Sequence, residues 1–554
     1  MKVLGVNAVF HDPAAALVVD GRIVAAAEEE RFSRRKHGKE AVPFSTWELP
    51  IEAMRWCLSE GGLTPSDLDV VTYSYDPALV LEDGPGLDPV WEQLRTIYVE
   101  RAPHFLATAL PGLDPEKVTH VPHHVAHAAS AALAAPPAAD GRRDRAVFVA
   151  DGRGETTSHL AGSYSEDGHL DVLAHQPLPE SLGLVYEELT QHLGFRRSSD
   201  EYKVMALASY GEPTMSELLK DRIAYQGDGL IVASDVDWDS FAPPKQPGQE
   251  HTRLHADLAA GVQHRTEEVL LEVLWWLYEQ TGQRRLAMAG VVALNCVANS
   301  RIAREGPFED VWIQPAAGDA GTALGGALQF AADLGDRIEP MVGADLGRSW
   351  DEEGLAAFLT DADVEYERPA DIAAEVARAL HEDALVAWFQ GRSEYGPRAL
   401  GHRSLLANPS RRDNLERLNR VKGREQFRPV APMVASHRAS EIFSGGPIPS
   451  PYMLFVHEVA PEWQERVPAA VHVDGTARIQ TVDPEDDPLT ARLLAEFENL
   501  SGLPVLVNTS LNTSGRPMVD SPRDALECFG SAPVDVLALG PFLVRRRGHD
   551  RVSS

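Results

Sequence analysis

The sequence predicts an α/β protein whose N-terminal part is internally duplicated. The opening segments KVLGVN, AAALVVD and RIVAAAEEE have the pattern of three strands, with a hairpin turn at Asp20-Gly21. The same pattern returns in AVFVAD, SHLAGSYS and HLDVLAH, with its turn at Asp167-Gly168. Because helical sequence follows each unit, we expect two α/β repeats rather than one doubly wound sheet.

A second α/β domain is expected after the duplicated one. The duplicated domain continues with helical sequence over about 254–279 and with LAMAGVVALN, which has the pattern of a buried strand. The composition changes around VGADLGRSW, which places the boundary near residue 347 and gives domains 1–346 and 347–554. In the second domain, ALVAWFQGR predicts a strand that leads into the Gly-, Pro- and Arg-rich loop YGPRALGHRS.

Composition excludes several classes of protein. The 554 residues include 51 Lys+Arg and 83 Asp+Glu, a net charge of −32, which argues against a nucleic-acid or anionic-membrane partner. Three cysteines without a CxxC motif make a disulfide framework or a thiolate metal site implausible. The N-terminus lacks the apolar region of a secretory signal, and we find no apolar run of transmembrane length. We therefore expect a cytoplasmic protein.

The segment VPHHVAHAASAALAAPP predicts a short helix that carries three histidines. Pro122 fits its start and Pro136 lies at its end. His123 and His127 are then four residues apart on one face, while His124 and His127, three apart, also converge. Either pair could bind one metal ion, and a polar helix face with capping histidines is an equally good interpretation.

Two aspartates could complete a metal site. Asp151 ends the AVFVAD strand, and Asp319 lies in the Gly-rich turn of PAAGDAGTALGG. Two imidazoles and two carboxylates without sulfur suit Fe(II) or Mn(II), with Zn(II) as an alternative. Each aspartate could instead end a strand or cap a helix.

Two glycine-containing segments of the N-terminal domain are candidates for binding a nucleotide. GDAGTALGG, which contains Gly318, resembles a phosphate cradle at a helix N-terminus but lacks the GK[ST] of a Walker A loop. LAMAGVVALN, which contains Gly290 and Asn295, could flank a base. Glycine-rich turns also serve close packing alone.

The C-terminal domain contains cations in an otherwise acidic chain. Such fixed cations fit a phosphate or carboxylate ligand, although surface ion pairs would explain several of them. The cations are Arg392, Arg398, Arg403, Lys422, Arg424, Arg428 and Arg478. The segment NTSLNTSG adds amide and hydroxyl groups after an apolar strand, namely Asn508, Thr509, Ser510 and Asn512. This pattern indicates the wall of an anion pocket, and a simple Asx or ST turn is the alternative.

No motif indicates hydrolysis through a covalent enzyme intermediate. The chain contains neither a serine nucleophile elbow, nor the context of a catalytic cysteine, nor HExxH. The residues therefore favour activation of a small group and its transfer.

Taken together, the motifs resemble those of the O-carbamoyltransferases of antibiotic and nodulation-factor biosynthesis. The resemblance is collinear over nearly the whole chain, in HDPAAALVVDGRIVAAAEEERFSRRKHG, HHVAHAASA, DGRGE, EYKVMALASYG, ALNCVAN, GDAGTALGGAL, QGRSEYGPRALGHRSLLANP, KGREQFRPVAP, DGTARIQTV and NTSLN. It implies that 1–346 is similar to the tRNA-threonylcarbamoyl-transferase fold of the actin/hexokinase superfamily. It also implies that 347–554 is similar to YrdC.

The resemblance implies an activity in two steps. The YrdC-like domain would make carbamoyl adenylate from carbamoyl phosphate and ATP (with Mg), releasing phosphate and pyrophosphate. The N-terminal domain would transfer the carbamoyl group to a hydroxyl of a small-molecule secondary metabolite at an iron(II) site, and AMP would leave. The acceptor could be a sugar, a macrolide, an aminocoumarin, a cephalosporin precursor or an aminoglycoside, and symmetry statistics alone favour a homodimer.

The resemblance also implies residue roles. His123, His127, Asp151 and Asp319 fall on the metal ligands, and His11 falls on a histidine near the transfer centre. Positions that fall on the carbamoyl phosphate and nucleotide site are Arg398, Lys422, Arg428, Arg478 and Ser510, of which Ser510 is a catalytic candidate. Departures from the family pattern are Val291, Tyr202, Ala206, Ser209 and Leu511.

Two other functions fit parts of the sequence. A tRNA threonylcarbamoyl-type transferase would use related folds, but a net charge of −32 without a basic arm disfavours it. A non-enzymatic nucleotide-binding scaffold would leave the C-terminal cations and NTSLN unexplained.

Overall fold

The chain divides into two compact units. The computed structural model describes residues 1–38, 49–81 and 89–546, and the units are Met1–Val342 and Gly343–Ser554. The sequence-based boundary lies near residue 347, four residues beyond the start of the second unit.

The N-terminal unit contains two five-stranded sheets with the same strand order. The first has the order β3-β2-β1-β4-β5 and the second β8-β7-β6-β11-β12. In each sheet the first three strands in sequence pair antiparallel, and the last two lie parallel to the first. Strands β9 and β10 form a separate two-stranded sheet. The strands of this unit are β1 (Lys2–Asn7), β2 (Ala14–Val19), β3 (Arg22–Glu28), β4 (Val70–Tyr73), β5 (Val118–His120), β6 (Arg145–Ala150), β7 (Thr157–Tyr164), β8 (Leu170–Pro177), β9 (Ile223–Gly227), β10 (Leu230–Ala233), β11 (Arg285–Ala289) and β12 (Asp310–Ile313). The predicted duplication is confirmed.

The helices of this unit connect and cover the two sheets. They are α1 (Glu30–Ser33), α2 (Ile51–Glu60), α3 (Pro89–Ala109), α4 (His123–Ala132), α5 (Leu182–His192), α6 (Glu201–Ala208), α7 (Arg253–Thr281), α8 (Cys296–Glu305) and α9 (Ala320–Asp333). Helix α4 follows the first sheet but packs on β6 and β11 of the second, whereas α9 follows the second sheet and packs on β1 and β2 of the first. The two repeats therefore exchange their last helices.

The expected strand over LAMAGVVALN is shorter than the sequence predicts. Strand β11 ends at Ala289, and Val291–Leu294 form a single helical turn. The chain turns at Gly290, which has φ +90°, and a Cβ atom there would lie 2.1 Å from the carbonyl oxygen of Ala150. Only glycine fits so close to the neighbouring strand, and its backbone ends the strand.

The C-terminal unit is built on a mixed seven-stranded sheet. Its order is β19-β15-β20-β14-β13-β21-β22, and a small sheet β16-β17-β18 accompanies it. The strands are β13 (Val386–Phe389), β14 (Arg403–Ala407), β15 (Ala431–Ala435), β16 (Phe443–Ser444), β17 (His457–Val459), β18 (Thr476–Ala477), β19 (Gln480–Val482), β20 (Val505–Ser510), β21 (Val536–Leu539) and β22 (Phe542–Arg545). The α/β class of this unit is as predicted.

Apolar cores cover both faces of the seven-stranded sheet. On one face Val376, Leu493 and Phe497 pack against Trp388 of β13. On the other face Leu355, Leu418 and Phe529 pack against Phe389 of the same strand, because successive residues of a strand point to opposite faces. The helices are α10 (Glu352–Asp361), α11 (Ile372–His381), α12 (Asp413–Val421), α13 (Ala439–Ile442), α14 (Pro461–Gln464), α15 (Pro488–Ser501) and α16 (Pro522–Ser531).

Among the described residues, no helix combines the length and the apolar character needed to cross a bilayer.

Candidate functional site

Four buried side chains converge in the N-terminal unit. His123 and His127 lie on the first two turns of α4, Asp151 directly follows β6, and Asp319 directly precedes α9. One ligand atom from each lies within 4.8 Å of all the others. The Nε2 atoms of His123 and His127 are 3.3 and 3.5 Å from Oδ2 of Asp151, and 3.7 and 3.5 Å from Oδ1 of Asp319.

The donor atoms of this cluster fit a metal ion. Nε2 of His123, Nε2 of His127 and Oδ2 of Asp319 are buried and make no hydrogen bond. Buried polar atoms are normally satisfied, so atoms left over in one place need a common partner. Two imidazole nitrogens and two carboxylates suit Fe(II), Mn(II) or Zn(II).

Hydrogen bonds on the side away from the cluster fix the orientation of His123. Its Nδ1 lies 3.1 Å from the carbonyl oxygen of Ser74. Because a carbonyl only accepts, Nδ1 carries a proton, so Nε2 is the ring nitrogen that faces the cluster and would bind a metal ion there. The buried carboxylate of Glu155 also accepts a hydrogen bond from the backbone N–H of His123, at 2.8 Å. The helix end and the ring are both fixed.

Burial and attraction act against each other in the cluster. Burial alone would lower the pKa of His123, but Asp151 and Asp319 hold it well above its ordinary value. Burial alone would raise the pKa of Asp151, but the neighbouring histidines, His123 first, hold it well below its usual range. The site therefore favours ionised aspartates beside a protonated His123. A bound cation could take the place of the positive charge on this histidine.

His124 lies at the edge of the cluster and is not among its four convergent side chains. Its Nδ1 lies 2.9 Å from Oγ1 of Thr157, and its Nε2 is 3.8 Å from Asp151. Burial lowers the pKa of His124 to about 4. Of the two histidine pairs that the spacing allows, the structure thus brings His123 and His127 together with the aspartates.

Close helix packing brings Asp319 to the histidines. A Cβ atom on Gly325 of α9 would lie 1.7 Å from the carbonyl oxygen of Ala126 in α4, and one on Gly5 of β1 would lie 1.8 Å from that of Ala323. Asp319 occupies the N-cap position of α9, yet its side chain makes no capping hydrogen bond. Its carboxylate is therefore available to the cluster.

His11 lies beside the cluster, in the loop between β1 and β2. Its Nδ1 is 2.9 Å from Oδ2 of Asp12 and 3.8 Å from Oδ2 of Asp319. Burial alone would lower the pKa of His11, but Asp319 and Asp12 raise it to about 10. A cation held by Asp319 would offset the contribution of that carboxylate.

A polar group of the C-terminal unit joins two of the predicted residues. Nζ of Lys422, just after α12, donates to Oγ of Ser510 at 2.8 Å and to its carbonyl oxygen at 2.6 Å. The same ammonium group contacts Oδ1 of Asn512, which also accepts a hydrogen bond from the Ser510 hydroxyl. The end of β20 therefore presents a hydroxyl group next to a positive charge.

A shared network holds the Arg398 loop and the neighbouring strand. Nδ2 of Asn508 donates to the carbonyl oxygen of Ala399 at 3.1 Å and to Gln480 at 2.8 Å, and Gln480 donates to the carbonyl oxygen of Leu400. Oδ1 of Asn508 in this network is buried without a hydrogen bond, and so is Nε of the predicted cation Arg478. Of the other predicted cations, Arg428 lies 3.6 Å from Glu425, Arg392 donates to the carbonyl oxygen of Leu346 at 2.8 Å, and Arg424 donates to Oδ1 of Asn419 at 2.6 Å.

The family is given by comparison with known proteins. The family model described as carbamoyltransferase N-terminus matches residues 2–113 and 88–328, and that described as carbamoyltransferase C-terminus matches residues 377–546. The chain belongs to the carbamoyltransferase family. It is therefore an enzyme, and carbamoyl transfer is its general reaction.

Relatives of this carbamoyltransferase match it over most of their length. Nodulation protein NolNO of Sinorhizobium fredii is 36% identical, over 98% of this chain and 80% of its own. An uncharacterized protein of Synechocystis sp. is also 36% identical, over 98% of this chain and 96% of its own. HypF of T. kodakarensis has a TM-score of 0.35 at 15% identity, over 61% of this chain and 49% of its own, which is too weak to extend the comparison.

Two of the three predicted nucleotide-binding residues in the N-terminal unit of the carbamoyltransferase have structural roles. The side chain of Asn295 caps α8 by accepting from the backbone N–H of Ala298 at 3.1 Å, and it pairs with Gln263. Gly290 is explained by its approach to β6. Gly318 differs, because a Cβ atom there would meet nothing closer than 3.9 Å.

Arg403 of the carbamoyltransferase is a structural residue, although the sequence groups it with cations that fit an anion. Its side chain is fully buried. Its guanidinium group donates to the carbonyl oxygens of Gln390, Gly391 and Arg348, and it stacks on Phe389 at 3.8 Å. The anion-binding interpretation is wrong for this residue.

The sequence analysis missed three residues next to His11. Asp12, Glu30 and His37 form a second group whose ligand atoms lie within 4.8 Å of one another. They come from a loop, a helix and a turn, so no periodicity connects them. The available signal was the neighbourhood of His11 itself, in the dipeptide His11-Asp12.

Proposed function

We propose that this carbamoyltransferase activates and transfers its carbamoyl group in separate units. Residues 347–554 would make carbamoyl adenylate from carbamoyl phosphate and ATP with Mg, and residues 1–346 would transfer the carbamoyl group to a hydroxyl of a small-molecule natural product. The observation that carries the proposal is the convergence of His123, His127, Asp151 and Asp319, in which Nε2 of both histidines and Oδ2 of Asp319 are buried without a hydrogen bond.

The first step joins the carbamoyl group to AMP. One water cleaves carbamoyl phosphate into carbamate and phosphate. A carbamate oxygen then forms a bond to the α-phosphorus of ATP, and the bond from that phosphorus to the β-phosphate oxygen breaks. Pyrophosphate leaves with the electron pair, so carbamoyl adenylate, phosphate and pyrophosphate are the products.

The polar groups around β20 suit this first step. Lys422 and Ser510 present an ammonium and a hydroxyl group in contact, and Arg478 has a buried Nε without a partner. Arginine and lysine bind phosphate oxygens through charge-assisted hydrogen bonds. We assign Arg398, Lys422, Arg428, Arg478, Asn508 and Ser510 to this site, with Ser510 acting on the substrate directly.

The second step moves the carbamoyl group to the acceptor. The acceptor oxygen forms a bond to the carbamoyl carbon, the bond from that carbon to the AMP oxygen breaks, and AMP leaves with the electron pair. The hydroxyl proton needs a base within hydrogen-bond reach. We assign this proton to His11, whose Nδ1 lies 3.8 Å from Oδ2 of Asp319 and whose raised pKa would fall, leaving the ring able to accept a proton, once a bound cation offsets the charge of Asp319.

His123, His127, Asp151 and Asp319 would hold a divalent ion in this unit. When bound, the ion would act as a Lewis acid for the carbamoyl oxygen, on which negative charge develops. Iron(II) suits the ligand set, with manganese and zinc as alternatives. Gly290, Asn295 and Gly318 are our candidates for the nucleotide in this unit, and Gly318 has the space that a nearby phosphate requires.

The acceptor is proposed to be a secondary metabolite made in the cytoplasm, as in antibiotic biosynthesis. A net charge of −32 disfavours tRNA, because nucleic-acid binding depends on clustered cations. A hydroxyl of a small molecule needs no such surface.

Release of pyrophosphate from ATP tests the proposal. We expect the purified chain to release pyrophosphate only when carbamoyl phosphate is present, without any RNA, and to form carbamoyl adenylate detectable by mass spectrometry. Release that is independent of carbamoyl phosphate, or that requires tRNA and threonine, would contradict it.

A further inference from the structure

A chain of hydrogen bonds leads away from His11. Oδ2 of Asp12 lies 2.9 Å from Nδ1 of His11, and Oδ1 of the same carboxylate lies 2.8 Å from Nδ1 of His37. Nε2 of His37 is in turn 3.0 Å from Oγ of Ser199. One carboxylate therefore joins two imidazoles, and the second imidazole joins a hydroxyl in the loop before α6.

This group differs in kind from the histidine and aspartate cluster beside it. Both ring nitrogens of His37 have hydrogen-bond partners, and both oxygens of Asp12 contact a ring nitrogen. In the cluster, by contrast, Nε2 of His123 and Nε2 of His127 have none. We call His11, Asp12, His37 and Ser199 the Asp12 group. Asp12 and His37 have hydrogen-bond partners within this group and need no ion, so the geometry indicates that the group orients side chains.

The backbone around this group is held in uncommon conformations. In the described part of the chain ten non-glycine residues have positive φ, and only Arg34, His37, Ser198 and Met453 of these are not aspartate. Two of those four belong to or adjoin this chain of hydrogen bonds, namely His37 at φ 59° and Ser198 at φ 56°, whereas Arg34 at φ 61° is the left-handed C-cap of α1. Asp12 itself has φ 49°. Positive φ is uncommon for residues other than glycine, although less so for Asp, Asn and His, and it persists where the surroundings hold the backbone in place.

The loop that carries Asp12 is also fixed from below. Nδ2 of Asn7, at the end of β1, donates to the carbonyl oxygens of His11 and Asp12, at 3.0 Å each. The backbone of the loop is thus tied to the sheet, and the Asp12 side chain is free to set the rings.

We propose that Asp12 is the positioning residue of the transfer centre, which fixes the orientation and tautomer of His11 and His37. The proposal rests on the proposed role of His11. A carboxylate only accepts, so a ring nitrogen that bonds to it must carry the proton. With Nδ1–H of both rings held by Asp12, Nε2 of His37 faces Ser199, and Nε2 of His11 is left for the acceptor hydroxyl. An aspartate that holds a catalytic imidazole in one tautomer acts in the same way in serine proteases.

Histidine NMR of the full chain tests this proposal. In protein labelled with [15N]histidine, with His11→Gln and His37→Gln used for assignment, we expect both rings to show a protonated Nδ1 at pH 7. Asp12→Asn keeps the size of the side chain but offers one acceptor oxygen, so at least one of the two rings should lose its Nδ1 proton. Asp20→Asn is the matched control, because Asp20 is also an aspartate with positive φ, at 51°, in a turn between strands.

The outcomes separate this proposal from the proposed function. Retention of both Nδ1 protons in Asp12→Asn, in protein with the wild-type unfolding midpoint and metal content, would overturn the positioning role. If Asp12→Asn fails to fold, the wild-type spectrum decides, since a protonated Nε2 with bare Nδ1 on either ring is incompatible with the proposal. Wild-type pyrophosphate release is measured separately, and its absence would contradict the adenylation step without changing the NMR result.

Discussion

Gly325 and Ala126 are in backbone contact where α9 crosses α4. A Cβ atom on Gly325 would lie 1.7 Å from the carbonyl oxygen of Ala126. His123 and His127 lie near the start of α4 and Asp319 lies at the start of α9, so the distance between these helices sets the distance between the proposed metal ligands.

Replacing Gly325 with alanine should therefore separate the metal-binding groups. We expect Gly325→Ala to lower the free energy of unfolding by about 1–3 kcal/mol, as overpacking does, and to lower the metal content of the purified protein. Urea unfolding and elemental analysis measure the two effects. Gly318→Ala is the control, because its Cβ atom has room, and an equal loss in both variants would contradict the role of this contact.

The purified protein should contain about one transition metal ion per chain, on the logic of its four ligands. His127→Ala and Asp319→Asn should lose the ion, whereas His124→Asn should keep it, because His124 is bonded to Thr157 instead. Elemental analysis of matched preparations measures this stoichiometry. A metal-free wild type with full transfer activity, or a loss of metal in His124→Asn equal to that in His127→Ala, would refute the ligand set.

The two units should be separable by mutation. Ser510→Ala and Arg478→Ala should slow pyrophosphate release at least about tenfold, since a lost hydrogen bond to a charged group costs roughly 1.5–3 kcal/mol. Variants of the His127 ligand should impair transfer and leave that release in place. The assay is carbamoyl-phosphate-dependent pyrophosphate release. An equal loss of this release in Ser510→Ala, Arg478→Ala and His127→Ala would argue against separate sites for the two steps.

Arg403 and Arg398 should respond differently to replacement by lysine. Arg403→Lys loses the planar fork that bonds three carbonyl oxygens, so we expect a loss of stability of roughly 2–3 kcal/mol. Arg398→Lys should keep stability and raise the KM for carbamoyl phosphate or ATP. Thermal unfolding and initial rates distinguish the two, and a stable Arg403→Lys protein with a raised KM would reverse this assignment.

His159 should make stability depend on pH. Burial lowers the pKa of His159 to about 3, and its Nε2–H donates to the carbonyl oxygen of Gly229 at 2.8 Å. Between pH 6.5 and 3 the unfolded chain binds a proton at this site that the folded chain does not, so its stabilising contribution is lost as pH falls. At pH 5 this amounts to about 2 kcal/mol relative to neutral pH.

Urea unfolding at pH 7.5 and pH 5 measures this dependence. His159→Gln, which retains a donor for Gly229, should flatten it by about that amount, whereas replacement of the exposed His169 by glutamine should not. Comparison with the wild type cancels the contributions of other histidines. An unchanged pH dependence in His159→Gln would be inconsistent with a neutral buried ring.

Local features of the sequence were sufficient to predict the repeats and the candidate metal cluster in outline. The turns at Asp20-Gly21 and Asp167-Gly168 and the apolar strands around them are local signals, and they predicted two equivalent sheets. Asp319 was a candidate ligand because it lies in a Gly-rich turn that follows a buried strand, although an aspartate there could also have capped the helix. The choice between His123 and His124 was not local, because it depends on how α4 is rotated against Thr157 and Asp151.

Other residues could not be assigned before their surroundings were known. Arg403 and Arg398 lie in the same loop sequence, and only the carbonyl oxygens around Arg403 show that its charge is used inside the fold. In the Asp12 group, Asp12 bonds to His37, which lies 25 positions further along the chain, and His37 bonds to Ser199, which lies 162 positions further again. Asp12 and His37 both have a left-handed backbone conformation. Propensity and periodicity carry no information on such pairings.

The exchange of α4 and α9 between the repeats has a consequence for how this enzyme can be divided. Residues 1–132 and 145–333 each contain a sheet and a helix that belongs to the other, so either fragment alone would expose the apolar face of its sheet and hold only some of the four ligands. Cutting the chain between them should yield two insoluble pieces that recover only when mixed. Gene fission at this junction is tolerable only if both pieces are made together.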